Sequence, residues 1–187
     1  MHPKEKEWIL KIQDNDNLAF KELFDFYCES LLEYAFHLVK DKAIAEDIVQ
    51  HVWIKVWEKR SSLNPELSFR SYLYTGVRNQ ALKYIRDTKD KFTSLETIYS
   101  LADENILQDA RFHDKESLQL INKAVDHLPP KCREIFILNH LEGLSYKEIT
   151  EVLNISINTV KTQMARALRS LRKALKITLL LFYFSRL

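Results

Sequence analysis

The sequence predicts an all-helical protein built from two small helical domains joined by a flexible linker. Only two glycines and four prolines occur among 187 residues, so residues that interrupt helices are scarce. Leu, Ile, Glu, Lys and Arg, which favour helices, are abundant. Apolar residues also recur at three- and four-residue steps, as in Leu23, Tyr27, Leu31 and Tyr34, which is the helical period.

The N-terminal domain is predicted to span residues 5–90. Apolar periodicity places one helix over 18–38 and a second over 43–58. Residues 61–68 contain a proline and are predicted to form a loop, and helical periodicity returns over 69–86.

The C-terminal half is predicted to consist of a linker, a domain and a tail. Residues 91–112 are polar or weakly patterned, which indicates a flexible linker. The second domain spans 113–176 and begins with a short helix. An apolar tail, 177–187, follows. Its longest apolar run is much shorter than the roughly 20 residues of a membrane-spanning helix, so no membrane insertion is expected.

The composition excludes several classes of chemistry. Two glycines cannot build the phosphate-binding loops of nucleotide enzymes. Cys28 and Cys132 are isolated and have no metal-ligand spacing, so both are interpreted as small buried residues. We therefore predict no catalytic residues, no metal, no cofactor and no small-molecule substrate. The charged N-terminus is not a signal peptide, so a cytoplasmic location is expected.

Charge is distributed unevenly along the chain. The formal net charge is only +2, yet residues 161–176 carry six basic side chains and no acidic ones. Such a stripe is typical of a surface that contacts phosphates.

A helix-turn-helix is predicted over residues 128–176. A helix over 131–140 is followed by Gly143, which closes the turn. Ser145 and Glu148 match the S-x-x-E capping box at the start of the next helix. Asn154 stands where the chain turns again, and a longer helix begins near Ser156. This bihelical arrangement inserts its second helix into the major groove of DNA.

The second helix of this motif has a polar face opposite Val160 and Met164. Its side chains suit base-edge and phosphate contacts. The alternative interpretation is an ordinary amphipathic helix with a solvated basic face. The predicted DNA-contacting residues are Asn158, Thr159, Lys161, Thr162, Gln163 and Arg166.

Two separate segments resemble the extracytoplasmic-function (ECF) sigma factors of the sigma-70 family. Residues 128–136 and 143–149 resemble the fourth conserved region of these proteins, and 159–168 resemble its recognition helix. Residues 45–53 resemble the helix that docks on the RNA polymerase clamp, and 69–79 resemble the helix that reads the −10 promoter element.

The resemblance implies a transcription-initiation factor that binds core RNA polymerase and promoter DNA. It implies that Glu46, Asp47 and Gln50 contact the polymerase and that the second helix of the helix-turn-helix reads the −35 element. It also implies an anti-sigma factor as a partner. Four departures from the family pattern occur, at His51, Tyr72, Thr150 and Asn154.

The helix over 69–86 mixes aromatic and cationic side chains, as a surface for unstacked bases would. In the family, the residue matching Asn79 and the preceding loop capture a flipped base. Phe69 and Tyr74 are equally compatible with a core position. The predicted −10 contacts are Phe69, Arg70, Tyr72, Arg78, Asn79 and Lys83.

Two other functions compete with a sigma factor. The first is a stand-alone helix-turn-helix regulator, but the N-terminal half shows no sensor pocket or phosphoacceptor pattern. The second is a helical enzyme, but no HExxH motif or nucleophile elbow occurs. The chain is therefore predicted not to be an enzyme.

Overall fold

The computed structural model describes residues 4–89 and 115–184, with side chains placed over 4–88 and 121–174. All regular elements in these ranges are helices, which confirms the predicted all-helical class. The chain divides into two compact units. The predicted linker at 91–112 lies outside the described residues.

The first unit contains four helices, and a 3-10 turn follows the third. Three of the helices match the predicted ones, whereas the first, near the N-terminus, is an additional element. The helices are α1 (Glu5–Gln13), α2 (Asn17–Val39), α3 (Lys42–Glu58) and α4 (Phe69–Lys89), and the 3-10 turn is Arg60–Ser62.

Aspartate side chains start two of these helices. Asp16 Oδ1 accepts hydrogen bonds from the amides of Leu18 and Ala19 at 2.8 and 3.1 Å. Asp41 Oδ1 accepts one from the amide of Ile44 at 3.1 Å. These bonds satisfy amides that have no partner within the helix, so α2 and α3 begin at defined residues.

The core of the first unit lies where α2, α3 and α4 pack together. The rings of Tyr34 and Tyr74 lie 5.2 Å apart, and both are fully buried. A Cβ on Gly76 would lie 3.3 Å from Val52 Cγ1, so glycine permits the close approach of α4 to α3. The other buried side chains at this centre include Leu23, Leu31, Val49, Val56, Leu73, Val77 and Ala81.

The second unit contains α5 (Lys115–Asp126), α6 (Pro130–Phe136), α8 (Ile157–Phe184) and most of α7 (Tyr146–Leu153). Its core combines the apolar faces of these helices with the turn before α7. The buried side chains include Leu128, Ile135, Leu138, Leu144, Ile149, Val160, Met164 and Ala167.

The prediction of one regular helix over 131–140 is wrong. Helix α6 ends at Phe136, and a π-helical turn, Ile137–Leu141, follows it. The amide of Glu142 donates to the carbonyl of Ile137 at 3.0 Å, five residues back, which widens the turn by one residue. Ile137 and Leu138 are both buried in this turn, which the regular helical period did not anticipate.

The predicted helix end near Lys176 is also wrong. Helix α8 continues to Phe184, so residues 177–184 of the predicted tail, Leu179–Phe184 included, continue α8. Within residues 4–89 and 115–184, no helix has the length and apolar character needed to cross a membrane.

Candidate functional site

The start of α7 is fixed by the predicted capping box. The amide of Ser145 donates to Glu148 Oε2 at 2.9 Å, and the amide of Glu148 donates to Ser145 Oγ at 3.3 Å. Thr150, a departure from the family pattern, donates its hydroxyl to the carbonyl of Lys147 at 2.6 Å and so adds no unsatisfied polar group. Gly143 has φ 65°, as expected for the residue that closes the preceding turn.

The turn between α7 and α8 is also the predicted one. Asn154 has φ 51°, in the left-handed region that Asn tolerates. Ser156 Oγ then accepts a hydrogen bond from the amide of Thr159 at 3.1 Å and caps α8. Local hydrogen bonds therefore fix the starts of α7 and α8, and the left-handed conformation of Asn154 fixes the turn between them.

Four of the six predicted −35 residues project from α8 into solvent. Asn158, Thr162 and Arg166 follow at four-residue steps and share one exposed face, with Lys161 beside them. The opposite side of the helix, with Val160 and Met164, is buried. The basic residues Arg169, Arg172 and Lys173 are exposed further along α8 and extend the positive surface.

The other two predicted −35 residues are half-buried and bonded to neighbours. Thr159 Oγ1 lies 2.9 Å from Ser156 Oγ, so its hydroxyl belongs to the cap of α8. Gln163 Oε1 accepts a hydrogen bond from the buried Cys132 thiol of α6, at 3.1 Å from Sγ. The bond between Cys132 and Gln163 could not be predicted from the sequence pattern, because the two residues lie on different helices.

A groove of about 720 Å³ lies between α2 and α3. We name it the aromatic groove, because two aromatic residues from each helix line it. Phe20 contacts Trp53 and Trp57 edge-on at 5.6 and 5.0 Å between ring centroids, and Phe24 lies 5.2 Å from Trp53. Ile54, 49% exposed, adds an aliphatic side chain to its wall.

Two of the three residues predicted to contact the polymerase line the aromatic groove. Glu46 and Gln50 are exposed and line the groove, one helical turn apart on α3. Asp47 is exposed as well but is not part of the groove lining, nor is His51 one turn further on. The structure therefore brings Glu46 and Gln50 beside the aromatic side chains of the groove.

The rim of the aromatic groove is acidic and its floor is neutral. Lys55 Nζ lies 2.7 Å from Glu58 Oε2 and holds the pKa of that carboxyl below its usual value, so Glu58 stays ionised. Burial, followed by the charges of Asp25 and Glu29, raises the pKa of the Cys28 thiol on the α2 side. Cys28 therefore remains protonated at neutral pH.

Three of the predicted −10 residues share one exposed face of α4. Tyr72, Asn79 and Lys83 are exposed and follow one another at steps of seven and four residues, which places them along one line of the helix. Arg86 continues this line. We name these four residues the α4 polar face.

Arg70 and Arg78 do not belong to the α4 polar face. Both are half-buried, and the Arg70 guanidinium carbon lies 5.9 Å from the centroid of the buried Tyr74 ring. Arg70 therefore faces the core side of α4, where it packs on an aromatic ring.

Phe69 is not available as a DNA contact, which corrects its prediction as a −10 residue. Its side chain is only 3% exposed. Its ring meets Tyr27 of α2 edge-on at 6.3 Å and stacks on Tyr72 at 6.0 Å. Phe69 instead supports the ring of Tyr72, which is 40% exposed at the start of α4. Tyr74 is likewise a core residue.

The loop before α4 is held in place by α1. Gln13 Nε2 donates to the carbonyl of Leu63 at 2.7 Å, and Lys6 forms an ion pair with Glu66 at 2.5 Å. Asn64 Oδ1 accepts the amide of Glu66 at 2.9 Å, which tightens the loop itself. This role of α1 could not be predicted from the sequence, because the bond between Gln13 and Leu63 joins residues that are 50 positions apart.

The described part of the chain offers no arrangement of His, Cys, Asp and Glu side chains that could hold a metal ion. The candidate sites described above are three surfaces: the exposed face of α8, the aromatic groove and the α4 polar face.

The two units match two family descriptions. Residues 23–91 match "Sigma-70 region 2", and residues 118–171 match "Sigma-70, region 4". The first match covers most of the helices that form the aromatic groove and the α4 polar face. The second covers the helix-turn-helix.

Two similar proteins align with most of the chain. The chain is 28% identical over 180 residues to the ECF RNA polymerase sigma factor SigW of Bacillus subtilis, covering 91% of this chain and 96% of that protein. It is 27% identical over 164 residues to SigX of the same organism, covering 85% and 84%.

Two solved structures share the fold. The sigma factor RpoE of Bartonella quintana, solved with the anti-sigma factor NepR, aligns with a TM-score of 0.68 and 25% identity, covering 84% of this chain and 97% of that one. CnrH, solved with the cytosolic domain of CnrY, aligns with a TM-score of 0.66 and 20% identity, covering 92% and 97%.

Proposed function

The chain belongs to the sigma-70 family as an ECF sigma factor, and we propose from this that it directs promoter-specific transcription initiation by core RNA polymerase. The observation that carries the proposal is the presence of regions 2 and 4 in one chain, each with an exposed face suited to its task. A stand-alone regulator would not require region 2. Sigma factors are regulatory subunits, and we propose that this one has no catalysis of its own and acts in the cytoplasm.

We assign residues 5–90 to region 2, 91–112 to the linker and 113–176 to region 4, with residues 177–187 following. RpoE and CnrH were each solved with another protein bound, and in RpoE this protein is named an anti-sigma factor. We propose that the present chain also has an anti-sigma partner.

Polymerase binding is proposed to use the aromatic groove. Aromatic side chains in a partly exposed groove provide a large apolar area for a partner, and aromatics are enriched at protein interfaces for this reason. Glu46 and Gln50 at its edge supply polar contacts that fix orientation, and Asp47 extends the acidic surface. The apolar floor supplies affinity, and the acidic rim favours a basic partner surface.

Recognition of the −35 element is proposed to use the exposed face of α8. Asn158, Thr162 and Arg166 would face the major groove, while Lys161 and the later basic residues contact phosphates. The capped N-terminus of α8 adds the positive end of its helix dipole to the same surface.

Recognition and opening of the −10 element are proposed to use the α4 polar face with the loop that α1 anchors. The exposed edge of Tyr72 offers a stacking surface, and base stacking on an aromatic contributes about 1–3 kcal/mol. This gain offsets part of the few kcal/mol that unstacking a base costs. Asn79 and Lys83 lie on the same line and can hydrogen-bond a base edge and a phosphate.

The decisive experiment is run-off transcription with core polymerase and promoter fragments from the native genome. We expect transcripts from defined start sites only when the protein is added. Equal transcription by core polymerase alone would rule out the proposed function.

Replacing Asn79 with Ala should lower the rate of open-complex formation about tenfold, because a hydrogen-bonding group for an extruded base is lost. Permanganate footprinting of unpaired thymines measures the open complex, and co-migration with core polymerase measures binding. Gln80→Ala is the control, since Gln80 is the next residue on α4 and faces another direction. Loss of core binding in Asn79→Ala would contradict the assigned role.

Replacing Arg166 with Ala should weaken promoter binding by about 1–2 kcal/mol and relax base preference at one −35 position, provided that Arg166 contacts a base. Arg172→Ala is the matched control, because Arg172 is exposed further along α8. Losing a phosphate contact at Arg172 should lower affinity by a similar factor for all sequences and reduce the salt dependence of binding. Identical sequence profiles for the two variants would show that Arg166 reads no base.

A further inference from the structure

We propose that Cys132 is a positioning residue for base selection, because its thiol holds Gln163 with the carboxamide nitrogen directed to the DNA as a hydrogen-bond donor. This inference rests on the proposed function, since it concerns how α8 reads the −35 element. It names a specificity determinant that lies on α6, outside the recognition helix.

The contact joins two helices of region 4. Cys132 is 3% exposed on α6, and its Sγ lies 3.1 Å from Oε1 of Gln163 on α8. Because the sulfur is shielded from water, solvent does not compete for this bond. Burial raises the pKa of the Cys132 thiol, and this outweighs the opposing charge of Arg166. The thiol is therefore protonated at neutral pH and can only bond a carbonyl oxygen by donating to it.

Gln163 occupies the edge of the exposed α8 face. Gln163 is half-buried. It follows the exposed Thr162 and lies one helical turn before the buried Ala167. Its side chain therefore bridges the core and the DNA-facing surface. With Oε1 turned to Cys132, the Nε2 group is the end left for an external partner.

This orientation changes which base the glutamine selects. A glutamine with both ends available reads adenine, donating to N7 and accepting from N6. With Oε1 directed at Cys132 on α6, Gln163 presents its Nε2 donor, and not its oxygen, to a base. Guanine presents two adjacent acceptors in the major groove, N7 and O6, and thymine presents O4. Adenine presents the acceptor N7 beside its N6 amino donor, and a glutamine that offers only a donor leaves this amino group without a partner. Guanine or thymine is therefore expected to be preferred over adenine at the base that Gln163 contacts.

The test uses the full chain with core polymerase and the strongest promoter from the run-off experiment. Each −35 position is changed to the three other bases, and transcript yields give a base-preference ratio for each position. Gln163→Ala should flatten the preference at one position and so identify the contacted base. At that position the wild-type protein should prefer guanine or thymine over adenine by about two- to tenfold.

Variants of Cys132 then separate positioning from packing. Cys132→Ala frees the carbonyl of Gln163. The transcript yield with adenine at that position should then equal the yield with guanine or thymine. Cys132→Ser retains a donor and should restore the wild-type ratio. Gln163→Glu presents an acceptor and should shift the preference to cytosine, whose N4 amino group donates. Ratios within one protein preparation do not depend on its folded fraction, so partial destabilisation leaves them unchanged.

Three results would overturn the inference. They are an unchanged ratio in Cys132→Ala, a wild-type preference for adenine or cytosine at the contacted position, and no position affected by Gln163→Ala. Each is observed only when the wild-type protein initiates transcription. Absence of any promoter-specific transcript is a different result and counts against the proposed function itself.

Discussion

Replacing Trp53 with Ala is expected to destabilise region 2 by about 3–5 kcal/mol, the range for truncating a buried aromatic side chain. Trp53 is 3% exposed, and its ring lies against Phe20 and Phe24 of α2. Its removal leaves a cavity between α2 and α3, because helix backbones cannot collapse fully to fill it.

Urea denaturation followed by tryptophan emission measures this loss. The three tryptophans, Trp8, Trp53 and Trp57, all lie in the first unit, so the signal reports that unit alone. Trp57→Ala is the matched control. Its side chain is half-buried and is flanked by the Arg60 guanidinium, 4.4 Å from its ring centroid, so the cost of truncation should be smaller. Equal losses in the two variants would show that Trp53 does not hold α2 and α3 together.

Replacing Ile54 with Glu should weaken binding to core polymerase by about 3 kcal/mol or more while leaving stability nearly unchanged. A carboxylate in the aromatic groove would have to lose its hydration when a partner docks there, and a charge left buried and unpaired costs about 2–5 kcal/mol. In the free protein the same carboxylate remains in water, so folding tolerates it.

Leu10→Glu provides a close control for this variant. Leu10 on α1 is 49% exposed, as is Ile54, and it does not line the groove. The two substitutions therefore add the same charge at equally exposed positions. Fluorescence anisotropy of the labelled protein with core polymerase gives both affinities. Similar affinities for the two variants would place the polymerase contact elsewhere.

Local signals were sufficient to predict the helix-turn-helix. Gly143, Asn154 and the Ser145–Glu148 capping box act within a few residues of sequence, and the structure contains all of them in the predicted roles. Each depends on backbone conformation or a nearby amide, which a single sequence reveals.

The features that sequence could not predict depend on distant partners. Phe69 stands among cationic residues, and only its contact with Tyr27, on another helix, makes it a core residue. Phe20 and Phe24 follow the helical period of buried residues, yet they line an open groove, because none of the other helices described in the first unit lines that side of α2 and α3. The orientation of Gln163 depends on Cys132, which is 31 residues earlier in the chain.

The bond between Gln13 and the carbonyl of Leu63 has a consequence for how promoter preference can diverge. The acceptor is a backbone oxygen, which most residues at position 63 would supply equally well. Substitutions in this loop can therefore change the side chains presented to DNA while the loop keeps its anchor on α1. Because the anchor uses a backbone atom, the position of the loop does not depend on its side chains. New promoter preferences can therefore arise by substitution in the loop while the fold of the first unit is unchanged.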